Sequence, residues 1–525
     1  MVGERESLGG LATEVMEKSR SPRDFYEVAA LLESMGWTDS QARSVFGYDN
    51  VFELAKDVLD LCRKNVITKP VVREKRFPFF IILWDFIKSY LRGIMFAMPM
   101  AVSIFAMLTI RYSLWSYQYF SVEIATAIAI GTILSFLVTG GFTQAIARRG
   151  LMYIGQNEYN LARRFSFLMI RVGLIVIILA ALAALAFNLV FEIFPLKMMS
   201  YILIYYFFLS CIWLTTTVLY MLRHELLFTG ITVIGMITVI LLHELFRLDI
   251  MLSQAIGLTI TALLIFAMAA WLFHQHERRA EQGVELAPVP RMSLVVYTVI
   301  PYFIYGLLYF GFIYIDRVIA WSANSLFMPY VIWFRGEYEL GLDWALLTLI
   351  LPMGVVEVLI NNFWMNLTAR QKSFLARDST RFNQIYVSTY RRQMALYAAT
   401  AGASGIAVYF GMRLIDAYRL LDLHLFQNRV TYFVFAWGVV SYALIAAGLL
   451  NSLYLFSLSR PEPVVRAVLY ASGADMLLGF VLSREIDYYY AVLGLVGGAL
   501  VFFVLTSRYA VEALGALDFH VYSSV

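Results

Sequence analysis

Two stretches of this 525-residue chain place ionisable side chains inside otherwise apolar runs. In Ile313-Tyr314-Ile315-Asp316-Arg317-Val318-Ile319 an aspartate adjoins an arginine, and further along Glu357 stands alone among valines and leucines. A charge held within a membrane helix is costly and faces a partner or a wet cavity. On a helix Glu357, Asn361 and Trp364 fall at i, i+4 and i+7, so a carboxylate, an amide and an indole share one face, with Asn362 beside them. Carboxylate and amide bond hydroxyls, and an indole packs on a pyranose ring, so this face suits the wall of a sugar path. An ion pair of Glu357 with Arg317, tying two helices together, is an equally good reading and does not exclude the first. Tyr302, Tyr305, Tyr309 and Phe312 recur at three- to four-residue spacing and lead to Asp316, as a packing stripe or a carbohydrate-lining one. Glu123, Glu192, Arg413 and Asp416 stand near the ends of apolar runs and reach interfacial water.

Other chemistry is not in evidence from the residue pattern. His243-Glu244 lacks the second histidine of a zinc-protease helix. His274 and His276, followed by Glu277, close an apolar run where solvated histidines are expected. The two cysteines, Cys62 and Cys211, form neither a disulfide framework nor a metal spacing. With no nucleophile elbow, phosphate loop or paired carboxylates, the expectation is no enzyme, no metal and no cofactor. The net charge of +4 is too small for this length to imply nucleic acid.

The elements that must hold the polar groups are set by composition. At 61% hydrophobic and 15% charged residues, against about 25% charged in an ordinary soluble domain, the chain calls for bilayer as its main solvent. Apolar blocks approach the roughly 20 residues that cross a hydrocarbon core. The reading is an all-α polytopic protein of about twelve spans, near 93–110, 119–140, 166–188, 200–222, 228–246, 254–273, 294–320, 342–367, 393–415, 429–451, 462–480 and 488–506. Loop lysines and arginines number seventeen on one side and eight on the other, which puts both termini in the cytoplasm of a multi-pass protein of the inner (cytoplasmic) membrane. The polar, proline-bearing segment 274–293 divides spans 93–273 from spans 294–506 as two six-helix lobes, followed by a cytoplasmic tail over 507–525. Pro99 and Pro301 lie at matching depths in the first and seventh spans, as hinge candidates or as prolines that membrane helices tolerate.

Ahead of the spans, residues 1–20 read as a flexible tail and 21–65 as a cytosolic three-helix mini-domain. Ser21-Pro22 with Asp24, Thr38 with Gln41, and Asn50 with Glu53 supply the helix starts. This mini-domain reads equally as a folded cap or as a docking module for a cytosolic partner. The segment 66–92 mixes Lys69, Arg73, Lys75, Arg76 and Lys88 with Phe79, Trp84 and Tyr90, the make-up of an interfacial helix on anionic membrane lipid.

The block Ile315-Asp316-Arg317-Val318-Ile319, then Gly336-Glu337-Tyr338, then an apolar span ending at Asn361, Asn362 and Phe363, resembles the start of the second half of flippases in the multidrug/oligosaccharidyl-lipid/polysaccharide (MOP) exporter superfamily. In that superfamily an Asp-Arg or Asp-Lys step followed by a Gly-x-Tyr turn opens that half, and within it the likeness is to PelG-like exopolysaccharide transporters, which have an Ile-Asp-Lys-like element in this place. The resemblance implies a two-lobed, MATE/MOP-like fold around a central cavity. It also implies transport of a polysaccharide or lipid-linked glycan beside a cytosolic glycosyltransferase or other polysaccharide synthesis proteins. Asp316, Arg317, Glu357, Asn361, Asn362, Trp364 and Tyr309 are the expected substrate path. The N-terminal mini-domain, the basic-aromatic segment and the aromatic stretch from Trp321 to Phe334 depart from that pattern. A cation-coupled drug antiporter of the same superfamily and a non-transporting scaffold that recruits a polysaccharide synthase are the alternatives.

Overall fold

The computed structural model describes residues 8–19, 22, 24–66, 79–156, 158–280, 292–324, 328–371, 379–418 and 428–519. They divide into two compact units, residues 1–82 with 370–373 and the remainder, and each is built by its own logic.

The smaller unit starts earlier than the sequence suggests. Residues 8–18, read as tail, form α1 (Leu8–Lys18), because Leu11, Ala12 and Val15 lie on one face and are fully buried. Helix α2 (Phe25–Ser34) is capped by Asp24, whose carboxylate accepts from the Glu27 amide at 2.9 Å. The expected cap Ser21 lies outside the described residues. Thr38 and Gln41 form a reciprocal capping box at the start of the short α3 (Asp39–Gln41), and Asn50 accepts from the Glu53 amide at 2.9 Å at the start of α4 (Val51–Val66). Val28, Leu32, Leu54, Val58 and Cys62 complete the core. Among the described residues α2, α3 and α4 fall within 21–65, and α1 adds a helix ahead of them.

In the larger unit, helices form along the apolar runs. They are α5 (Phe79–Ile110), α6 (Val122–Gly155), α7 (Tyr159–Phe191), α8 (Leu196–Met221), α9 (Glu225–Ile240), α10 (Ile250–Ala280), α11 (Met292–Trp321), α12 (Gly336–Leu347), α13 (Ile350–Gln371), α14 (Ser379–Ala417), α15 (Arg429–Ser457), α16 (Glu462–Glu485) and α17 (Ala491–Gly515). Among the described residues eleven helices are long and apolar enough to cross a membrane, and α12 with α13, bent by 42° at a short break, brings the number to twelve where the pair is counted as one broken span. The span expected over 342–367 is thus two helices, and Gly336-Glu337-Tyr338, expected as a turn, opens α12 instead. Residues 79–92, expected as a separate interfacial helix, are the first turns of α5; the basic residues 67–78 lie outside the described residues, as does 281–291 of the inter-lobe loop.

Helices α5–α10 surround one core, centred on Tyr205, Leu209 and Phe273, and α11–α17 another, centred on Phe312, Tyr338, Tyr454 and Phe502. The lobes meet along α6 and α11. A Cβ on Gly306 would fall 2.2 Å from the Gly140 carbonyl oxygen, so only glycine lets these backbones approach so closely. Beside that contact Phe136 stacks on Phe310 and Tyr314, at 5.0 and 5.5 Å between centroids.

Contacts join the lobes at both ends of this seam. At the arginine-rich end, where α6 and α15 finish, Arg148 donates to the Ser459 hydroxyl at 3.0 Å and lies over the Tyr302 ring. At the opposite end the Phe334 amide donates to the Thr126 hydroxyl at 3.0 Å.

A buried carboxylate cluster in the second lobe

Asp316 and Arg317 sit near the end of α11, both buried. Their contacts come from the elements packed around that helix. Arg317 donates through Nε to Glu339 Oε2 at 2.9 Å, through Nη1 to the Ile313 carbonyl at 3.2 Å, and through Nη2 to the Tyr442 hydroxyl at 3.0 Å. Its guanidinium also lies 5.0 Å from the Tyr314 ring centre. Glu339, on α12, accepts at its other oxygen from the Trp321 indole at 3.1 Å. The Tyr338 hydroxyl donates to Asp316 Oδ2 at 2.7 Å.

One more carboxylate enters from α16. Asp475 is fully buried and feels the charge of Asp316. Among the described residues neither Asp475 oxygen nor Asp316 Oδ1 has a hydrogen-bond partner. Glycines on α17 bring the aspartate in: a Cβ on Gly498 would stand 2.8 Å from the Asp475 Cβ and 2.7 Å from the Ala471 carbonyl oxygen, and one on Gly494 only 2.7 Å from the Asp475 carbonyl oxygen. Asp343, also on α12, feels the Arg317 charge as well.

Asp316, Glu339 and Asp343 therefore share the one guanidinium of Arg317, and Asp475 adds a fourth carboxyl group beside Asp316. Burying a carboxylate without partners costs several kcal/mol, and two that face each other cannot both carry charge cheaply. Asp316 and Asp475 are thus two buried carboxyl groups close enough to feel each other's charge. Among the described residues there is no group of three or more histidine, cysteine or acidic side chains placed to hold a metal ion.

The expected path residues do not come together as one site. Glu357 does not pair with Arg317: its partner is Arg92 on α5, at 3.8 Å, and it also feels Arg223 and Glu225 of the first lobe. Asn361 donates to the Ser89 hydroxyl at 3.1 Å. The pairing follows from a close crossing of α5 and α13, where a Cβ on Gly93 would stand 2.4 Å from the Met353 carbonyl oxygen and one on Gly354 would meet the Tyr90 ring at 2.6 Å. Trp364 is exposed on α13 against Phe363, and Asn362 is half-buried beside them.

Tyr309 stacks on Tyr305 at 5.5 Å and meets Phe310 edge-on, near the lobe seam. Tyr302 and Tyr305 pack on Phe456 and Phe312 on Phe502, so this part of the stripe is largely core. Both hinge candidates lie within helices that run on through them, Pro99 in α5 and Pro301 in α11.

Sequence reasoning missed Glu339, Asp343, Tyr442 and Asp475. A signal existed for Asp475, an ionisable residue within the otherwise uncharged run Ala471-Ser472-Gly473-Ala474-Asp475-Met476-Leu477. Its pairing with Asp316 joins positions on two separate spans, which no local spacing reveals.

No protein-family model matches this chain, and no curated protein matches it in sequence. Solved structures do. The Vibrio cholerae MATE transporter VcmN is similar with a TM-score of 0.56 at 14% identity, over 84% of this chain and 98% of its own. The eukaryotic MATE transporter AtDTX14 follows with 0.50 at 13% identity, over 82% and 99%. A further MATE structure gives 0.51 at 13% identity, over 82% and 96%. At these identities the likeness is one of fold: the chain has the two-lobed MATE architecture.

Proposed function

We propose that this protein is a transporter that moves a polysaccharide or lipid-linked glycan across the cytoplasmic membrane, coupled to proton uptake and release at Asp316 and Asp475. The observation that carries the coupling is the surplus of buried carboxyl groups around Asp316 and Arg317, three of whose oxygens lack partners among the described residues. A structural ion-pair network has no use for that surplus. A site that is filled and emptied by a small cation does, since binding energy is then available to shift the balance between two lobe arrangements.

The cargo rests on the resemblance of spans seven and eight to polysaccharide flippases, together with the aromatic faces at the lobe seam and the hydroxyl-bonding groups Glu357 and Asn361. A cytosolic glycosyltransferase is the natural supplier of such a cargo, and the excess of loop lysines and arginines on one side supports placing both termini on its side of the membrane. The MATE architecture also favours a second reading, a proton-coupled drug antiporter using the same cluster.

Asp475→Asn separates the two, because it removes one carboxyl group while keeping the side chain's shape. The expected outcome is a tenfold or greater fall in secreted polysaccharide, measured as total carbohydrate in the culture medium, with unchanged sensitivity to cationic dyes. Dye sensitisation with normal polymer output would overturn the glycan reading in favour of the antiporter. Full output of both would overturn the coupling role.

A further inference from the structure

The aromatic stretch after α11 has no counterpart in the proposed transport chemistry, yet it touches both the carboxylate cluster and the other lobe. At its root the Trp333 amide donates to the Trp321 carbonyl at 2.9 Å, and the Phe334 ring lies 5.6 Å from the Trp321 ring. The Trp321 indole is itself held by Glu339. At its far side the Phe334 amide donates to Thr126 of α6, and Tyr330 packs on Phe194, 5.8 Å between centroids, beside Met198, Met199 and Ile202 of α8. Arg335 closes the stretch, lying over Tyr488 and donating to the Ala323 carbonyl at 3.3 Å.

We infer that residues 328–335 are a strap through which the buried carboxylate cluster of the second lobe acts on the first lobe, with Trp321 and Glu339 as its positioning residues. The inference rests on reading the cluster as a proton site. Glu339 spends one oxygen on Arg317 and the other on the Trp321 indole, while Asp316, Asp343 and Asp475 act on the same guanidinium or on one another. Charge appearing on the aspartate pair pulls on Arg317, and the pull reaches Glu339. When Glu339 shifts, the indole loses its acceptor, and the root of the strap loses the anchor that holds Phe334 and Tyr330 on α6 and α8. The strap is thus fixed to the first lobe in one state of the cluster and released in another.

Glu339→Gln and Trp321→Phe test this without a known cargo. The amide of glutamine offers one acceptor oxygen where two donors need one each, and phenylalanine keeps a ring but removes the indole donor. In a chain with Cys62 and Cys211 replaced by serine and alanine, Phe194→Cys and Tyr330→Cys are cross-linked with a short bis-maleimide in native membranes. Each variant that elutes as a monodisperse peak after solubilisation is scored. The expected result is a cross-linking rate lowered at least fivefold by Glu339→Gln and by Trp321→Phe alike. Rates within twofold of the parent in both variants would overturn the strap. Unchanged cross-linking together with loss of polymer in Asp475→Asn would sink the strap alone, whereas slowed cross-linking with a fully active Asp475→Asn chain would sink the proton reading and with it the cluster's control of the strap, leaving a static tie between Trp321 and the first lobe.

Discussion

Arg317 and Glu357, which the sequence offered as partners for each other, turn out to differ in what surrounds them, and the difference sets what each is worth. Arg317 is enclosed, with donors spent on Glu339, Tyr442 and the Ile313 carbonyl. Taking it away strands buried carboxylates, so Arg317→Met is expected to destabilise the protein by about 3–5 kcal/mol, read as a large fall in the melting temperature of detergent-solubilised protein. Glu357 is 40% accessible and 3.8 Å from Arg92, itself 25% accessible, and a long, partly exposed pair of that kind contributes only about 0–1 kcal/mol. Glu357→Gln should leave the melting temperature nearly unchanged; a drop in secreted polymer at intact stability marks it as a group that meets cargo, and unchanged output places it outside the path. Single residues in apolar runs were legible in the sequence as Asp316, Arg317 and Glu357. Their partners were not, because Glu339 lies on a helix that reads as a turn and Asp475 pairs across spans.

At the scale of elements, close approach of backbones decides what the side chains can do. Helices α16 and α17 press together over Asp475 because Gly494 and Gly498 present no side chain there. A methyl group at Gly498 meets the Ala471 carbonyl at 2.7 Å and the Phe312 ring at 2.7 Å, and backbone cannot yield as a flexible side chain can. Gly498→Ala is therefore expected to cost about 1–3 kcal/mol as overpacking and to lower transport by moving Asp475. Gly473, on α16 as well, has nothing within 4 Å of its would-be Cβ, so Gly473→Ala should be neutral or stabilising by up to about 1 kcal/mol. Comparing the two melting temperatures isolates the packing effect from helix propensity. The helices themselves were legible because hydropathy and length report a span directly. The break between α12 and α13 was not, since Thr348 and Leu349 continue an apolar run whose composition does not record a 42° bend.

At the scale of the whole chain, two units stand on unlike foundations. The membrane unit draws its stability from lobes that bury small and aromatic residues against each other, while the N-terminal unit has a single small core in which α1 supplies Leu11, Ala12 and Val15. Taking residues 1–20 for a tail was a natural reading of a polar segment. It fails because three apolar residues on one face suffice when a neighbouring core has room for them. Cys62 reports on that core: its thiol is buried, bonds toward the Ala12 carbonyl at 3.6 Å, and is raised above its ordinary range by burial, so in the folded unit it is a poor nucleophile. Removing residues 1–19 opens the core around it. The expected outcome is rapid alkylation of Cys62 in the truncated chain against slow alkylation in the full one, with Cys211 as an internal reference inside the bilayer. Because α1 contributes to no other described core, the melting temperature of the membrane unit should stay where it was. If polymer output also persists, the N-terminal unit is a cap; if output is lost while the membrane unit remains folded, the unit docks a partner that transport requires.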